Sequence, residues 1–153
     1  MSTKYDSAEV ILKLYDMRRE ETMRKARQWM ATFNPQSVEE IGSAVAGEHS
    51  AYLRMVTTYW DMACALVLQG AIDEEMFNET NGEHIFIYAK FEPFVEEIRA
   101  KFGPRAMMPN VEKLIMRMPD IKERLAQTRE MIKRMEAMRA QQADAEASKA
   151  KEA

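Results

Sequence analysis

Residues 48–77 read EHSAYLRMVTTYWDMACALVLQGAIDEEMF, the most apolar part of the chain. From His49 to Gln69 almost every helical face carries an apolar side chain, which predicts a helix buried on most sides. Gly70 is a natural stop for it, and Asp73 can open a brief helix carrying Met76 and Phe77. Two charges interrupt the pattern. Arg54 and Asp61, with Thr58 between them, stand at i, i+7 and i+4 on one side of the helix. A lone buried charge costs several kcal/mol, so each needs a partner or a route to water. One reading is an interhelical salt bridge that fixes packing, with Arg18 or Arg19 of the first helix as the partner of Asp61. The other is an anion pocket in which Arg19 and Arg54 grip a carboxylate or phosphate, lined further by Tyr59, Trp60 and Asp61.

Upstream, Asp6 or Ser7 can cap a first helix that runs to Asn34-Pro35. Within it Leu12, Tyr15, Arg19, Thr22, Ala26, Trp29 and Phe33 alternate in steps of three and four, which predicts a common face. Ser37, with Glu40 three residues on, reads as a capping box for a short helix through Val45. Downstream, Ile87, Phe91, Phe94, Ile98 and Phe102 share a helical stripe that Pro93 interrupts. The spacing predicts a kink or two consecutive helices there, with a short strand at IFIY as the competing reading. Val111, Leu114, Met118, Ile121, Leu125, Thr128, Ile132 and Met135 then form a heptad-like seam, across which Pro119 begins a new helix. Past Met138 the apolar residues vanish.

The expected architecture is therefore all-α: a compact helical bundle around one buried central helix, with an amphipathic C-terminal helix. Residues 5–118 form the helical domain, 119–140 the amphipathic helix and 141–153 a polar, disordered tail. Composition agrees, since 46% apolar residues supply a core while 5 glycines and 5 prolines leave few breaks among 153 residues. A net charge of −3 argues against a dedicated nucleic-acid binder. The one cysteine, Cys64, forms no intramolecular disulfide and sits in an apolar run, as a small core side chain or, in the alternative, a nucleophile. No basic start precedes an apolar run at MSTKYDSAEV, and MACALVL is far too short to span a bilayer, so a cytoplasmic chain without a membrane span is expected.

Chemistry-bearing motifs are sparse. Gly-Glu-His occurs at residues 47–49 and 82–84, so Glu48, His49, Glu83 and His84 are ligand types that suit a divalent metal, although neither step has a helical two-ligand spacing. Both steps also read plainly as helix starts with an acidic first turn. No cofactor is otherwise expected. Half of the 14 methionines fall between Met107 and Met138, where flexible side chains serve core filling or a helix–helix contact.

The run YLRMVTTYWDMACALVLQGAIDEEMFNET, with LYDMRREETMRKARQWM upstream, is similar to an uncharacterised bacterial family of small soluble helical proteins, a domain of unknown function. The shared pattern is Leu14-Tyr15, Arg18-Arg19-Glu20, Trp29, Tyr52, Arg54, Met55, Tyr59, Trp60, Asp61, Gly70 and Phe77. It covers about residues 10–115, implies a helical domain and a bacterial source, and brings no activity with it. On the residues, two functions compete. One is a non-enzymatic interaction or regulatory protein acting as a homodimer, its seam residues Ile121, Leu125, Ile132 and Met135 binding a second copy or a partner helix. The other is a small-molecule (anion) binder or enzyme with a pocket around Arg19, Arg54 and Asp61, metal-dependent through His49 or His84 in one variant.

Overall fold

Thr3 and Asp6 close a capping box at the N-terminus of α1 (Lys4–Met17): the Thr3 hydroxyl accepts from the Asp6 N–H at 3.1 Å, and the Asp6 carboxylate accepts from the Thr3 N–H at 2.8 Å. The computed structural model describes residues 2–152. The expected single helix to Asn34 is corrected here. It breaks at residues 18–20, where the Glu20 carboxylate accepts from the N–H groups of Thr22 and Met23 and starts α2 (Glu21–Thr32). The break re-phases the faces. Ile11 and Leu14, then Met23, Ala26 and Met30, point inward, while Leu12 is 67% and Tyr15 56% exposed. Arg19 lies at the surface beside Asp16, not in the core.

Helix α3 (Val38–Ala46) starts where Ser37 accepts from the Glu40 N–H, although the Glu40 carboxylate reaches back to Gln36 rather than Ser37. Helix α4 (Ser50–Leu68) is the central element, packed against α2, α3 and α8. Leu53, Val56, Tyr59, Trp60, Ala63, Cys64 and Val67 face the core. Burying each large apolar side chain contributes about 1.5–3 kcal/mol. Burial on most sides is also corrected, because Ala51, Arg54, Thr58 and Met62 form an outward strip. Gly70, at φ +75°, ends the helix in the left-handed region that favours glycine.

Asp73 caps α5 (Glu74–Thr80) through the Met76 N–H. Helix α6 (Glu83–Phe91) and α7 (Val95–Phe102) meet at a single 3-10 turn over Glu92–Phe94, where Pro93 lacks a donor. Among the described residues there is no strand, so IFIY is helical. After a loop come α8 (Pro109–Ile115) and α9 (Ile121–Glu152). The seam is broken at residues 116–120 and is filled within the chain: Ile121, Leu125 and Ile132 are buried, and α9 packs on α6. Arg129 with Glu92 at 2.8 Å, and Asn34 with Glu136 at 2.9 Å, hold α9 in place.

Helix α9 runs on through residues expected to be a disordered tail, reaching Glu152. Alanine, Gln, Glu and Lys there are strong helix formers. Ala153, the end of that tail, lies outside the described residues. No described helix is long and apolar enough to cross a membrane.

Candidate functional site

The residues singled out in the sequence fall in separate places. Arg54 and Asp61 form no ion pair with each other or with Arg19. Asp61 points to α8 instead. One carboxylate oxygen accepts from the N–H groups of Asn110 (2.7 Å) and Val111 (3.1 Å), the other from the Asn110 side-chain amide (2.7 Å). The residue at the cap of α8, Met108, offers no side-chain acceptor, so Asp61 closes that helix N-terminus from α4. Its charge is a helix cap supplied by another helix.

Lys90, which sequence reading passed over, does the converse. Buried on α6, its ammonium donates to the carbonyls of Met30 (2.5 Å), Ala31 (3.3 Å) and Phe33 (2.9 Å) at the C-terminal end of α2. Burial pulls its pKa down to about 8, with Glu136 acting in the opposite direction. The available signal is a lone lysine inside the apolar run IFIYAKF, the same kind of interruption as Arg54 in its own apolar helix.

Tyr59, Trp60, Glu83 and His84 do come together, joined by Arg18 and Arg27. Arg27 grips the Glu83 carboxylate through two nitrogens at 2.5–3.1 Å, and the Trp60 indole donates to the same group at 3.2 Å. Arg18 lies over the Trp60 ring, 5.3 Å from its centroid. The Tyr59 hydroxyl donates to the Leu14 carbonyl at 2.5 Å, and burial pushes its pKa up to about 12. His84 is fully buried between Trp60 and Phe77, and neither ring nitrogen has a hydrogen-bond partner. Burial, then the charge of Arg124, pulls its pKa down to about 4 against the opposing pull of Glu83. Arg27, Glu83 and Trp60 engage one another, and this trio ties α2, α4 and α6 together. Replacing Arg27 by Met is expected to cost about 2 kcal/mol in urea unfolding, because it leaves the Glu83 carboxylate half-buried with one indole donor.

Glu48 and His49 lie elsewhere, 3.5 Å apart, with the imidazole against Trp29 and Tyr52. Among the described residues no group of three or more His, Cys, Asp and Glu side chains is placed to hold a metal ion. Cys64 is buried and burial pushes its thiol up, which keeps it protonated.

Two concavities flank Arg54. On one side an open groove of about 770 Å³ runs between the α1–α2 junction and α4, lined by Met17, Met23, Met55 and Met62, with Glu20 and Arg54 at its edges. On the other a pocket of about 350 Å³ lies between α3, α4, α7 and the loop before α8.

A family model described as domain of unknown function (DUF4760) matches residues 6–118. The chain belongs to this family. The DUF4760 match takes in α1 to α8, with the Asp61 cap and both concavities, and stops before α9. No curated protein matches the chain, and no solved structure does.

Proposed function

We propose that the protein is a non-enzymatic interaction or regulatory module that assembles as a homodimer, each copy laying the exposed methionine strip of α9, with the base of the arm beyond it, into the methionine groove of the other. The observation that carries this is the end of α9. From Ala137 onward every residue with a described side chain is exposed. At 1.5 Å per residue the free arm is about 24 Å long. A lone helix of that length is marginal in water and is stabilised by lying against something. Met131, Met135 and Met138, at i, i+4 and i+7, share one face of α9 and stand 47%, 37% and 67% exposed. A groove walled by flexible methionines suits such an apolar strip, and Glu20 at its edge complements Arg139 at the base of the arm. Of the seam residues first expected at an interface, Met135 belongs to this strip, whereas Ile121, Leu125 and Ile132 are engaged within the chain.

Light scattering tests the reading. The full chain is expected at twice its 17.8 kDa. A chain ending at Glu136 keeps Ile132 and the Asn34 bond, and is expected to be a monomer with an unchanged melting temperature. Met62→Glu, on the exposed strip of α4, is expected to give a folded monomer as well. A monomeric full chain, or a dimer that survives both changes, sinks the proposal.

A further inference from the structure

The pocket on the other side of Arg54 has an unusual division of polar groups. Its floor is apolar, formed by Ile41, Leu53, Ile98 and Met108, all buried. The polar side chains of its walls are engaged. Asp61 accepts from three donors of α8, and the hydroxyls of Thr57 and Thr58 donate to the carbonyls of Leu53 (2.8 Å) and Arg54 (2.6 Å). Two guanidinium groups are left. Arg54 donates only a long bond to the Ser50 carbonyl of its own helix, at 3.4 Å. Arg105 has no hydrogen bond or ion pair among the described residues.

The backbone of the same wall is strained. Met107 and Met108 take φ values of 59° and 51°, successive non-glycine residues in the left-handed region. Such conformations cost about 1–3 kcal/mol each and gather at ligand clamps and switch regions. At the mouth, Val45 and Phe102 leave apolar surface in water.

We propose that this pocket binds a small amphiphilic carboxylate, with the apolar tail on the Ile41–Ile98 floor and the head group held between Arg54 and Arg105. A volume of about 350 Å³ is at the small end of ligand sites, which fits a single medium-length chain. The head is an anion because the unengaged polar groups on the wall are both cationic, and guanidinium matches a carboxylate with two parallel donors. The site shares Arg54 with the edge of the methionine groove, but Arg105 and the floor residues do not line that groove, so Arg105→Ala reads the pocket alone.

Calorimetric titration of the full chain with decanoate, and with decanol as the uncharged control, tests this. Decanoate is expected to bind at one site per chain, and decanol at least tenfold more weakly. Arg54→Ala and Arg105→Ala are each expected to weaken decanoate binding by about tenfold, the loss of one charge-assisted contact. Both arginines are exposed, so the variants should stay folded. Val45→Trp, which fills the mouth, is expected to abolish binding while both arginines remain. Absence of decanoate binding overturns the proposal. So does equal binding of decanol, or affinity unmoved by Arg105→Ala. Because Arg105 lies outside the groove, a failure here leaves the light-scattering result untouched, and the reverse holds too.

Discussion

Asp61→Ala is expected to destabilise the protein by about 3 kcal/mol. The substitution leaves two backbone N–H groups and one side-chain amide at the start of α8 without their acceptor, and removes a negative charge from the positive end of that helix. The loss of a cap alone costs about 1 kcal/mol. Here the orphaned donors are part-buried, and α8 carries Val111, Leu114 and Ile115 in the core, so loosening its first turn also disturbs packing against α4. In a chain of this size the shift in melting temperature is on the order of 10 °C. Asp61→Asn keeps an acceptor for the backbone groups but sets its own amide against that of Asn110, so about half the loss is expected. It should not impair dimer formation. Urea unfolding measures both variants. A change in Asp61→Ala below about 0.5 kcal/mol, typical of a surface substitution, would show that the cap contributes little.

The second large effect depends on pH and rests on His84. In the unfolded chain this imidazole takes up a proton near pH 6.5, whereas in the folded protein it does so only near pH 4. Between those values the unfolded state holds more protons, so stability falls as the pH is lowered through the interval. The difference amounts to about 3 kcal/mol, fully present at pH 7 and lost by pH 4. Asp6, Glu20 and Asp73, whose carboxyls are held below their usual range by hydrogen bonds, lose stability in the same direction on acidification. Comparing wild type with His84→Phe isolates the imidazole. The variant puts an apolar ring between Trp60 and Phe77, in place of two nitrogens that have no partner. It is expected to be as stable as wild type at pH 7, or more so, and to lose about 3 kcal/mol less between pH 7 and pH 4. Parallel stability curves for the two proteins would place the acid sensitivity in the carboxylates alone.

Much of the fold was legible because local chemistry announces helix ends. Ser37, Gly70, Asp73 and Pro93 each act within a few residues of themselves, and each stands where its type predicts. The break at residues 18–20 carries neither glycine nor proline. Glu20 caps α2 with its own carboxylate, and the three–four spacing of apolar residues runs across the interruption undisturbed. That spacing predicts an inward face for Leu12, Tyr15 and Arg19, which the re-phased helices leave exposed. The central helix misled differently: its apolar content is high, yet Arg54, Thr58 and Met62 mark an outward strip that periodicity shows only weakly. The site was half legible. Tyr59, Trp60, Glu83 and His84 converge, but the sequence offers Arg18 as a partner for Asp61, and nothing near Arg27 marks it as the partner of Glu83, 56 positions away. The roles of Asp61 and Lys90 depend on groups 49 and 60 positions away, beyond the reach of any local pattern. The seam of α9 has one and the same pattern whether its cover comes from α6 or from a second copy.

Two helix ends closed from elsewhere in the chain have a consequence for how the molecule opens. The first turn of α8 is capped only while α4 lies against it, and the last turn of α2 only while α6 supplies Lys90. Neither terminus can fray on its own schedule as the ends of ordinary helices do. The amide protons of Asn110 and Val111, at the start of a seven-residue helix, should therefore exchange with solvent as slowly as those in the middle of α4, released only when the whole domain comes apart.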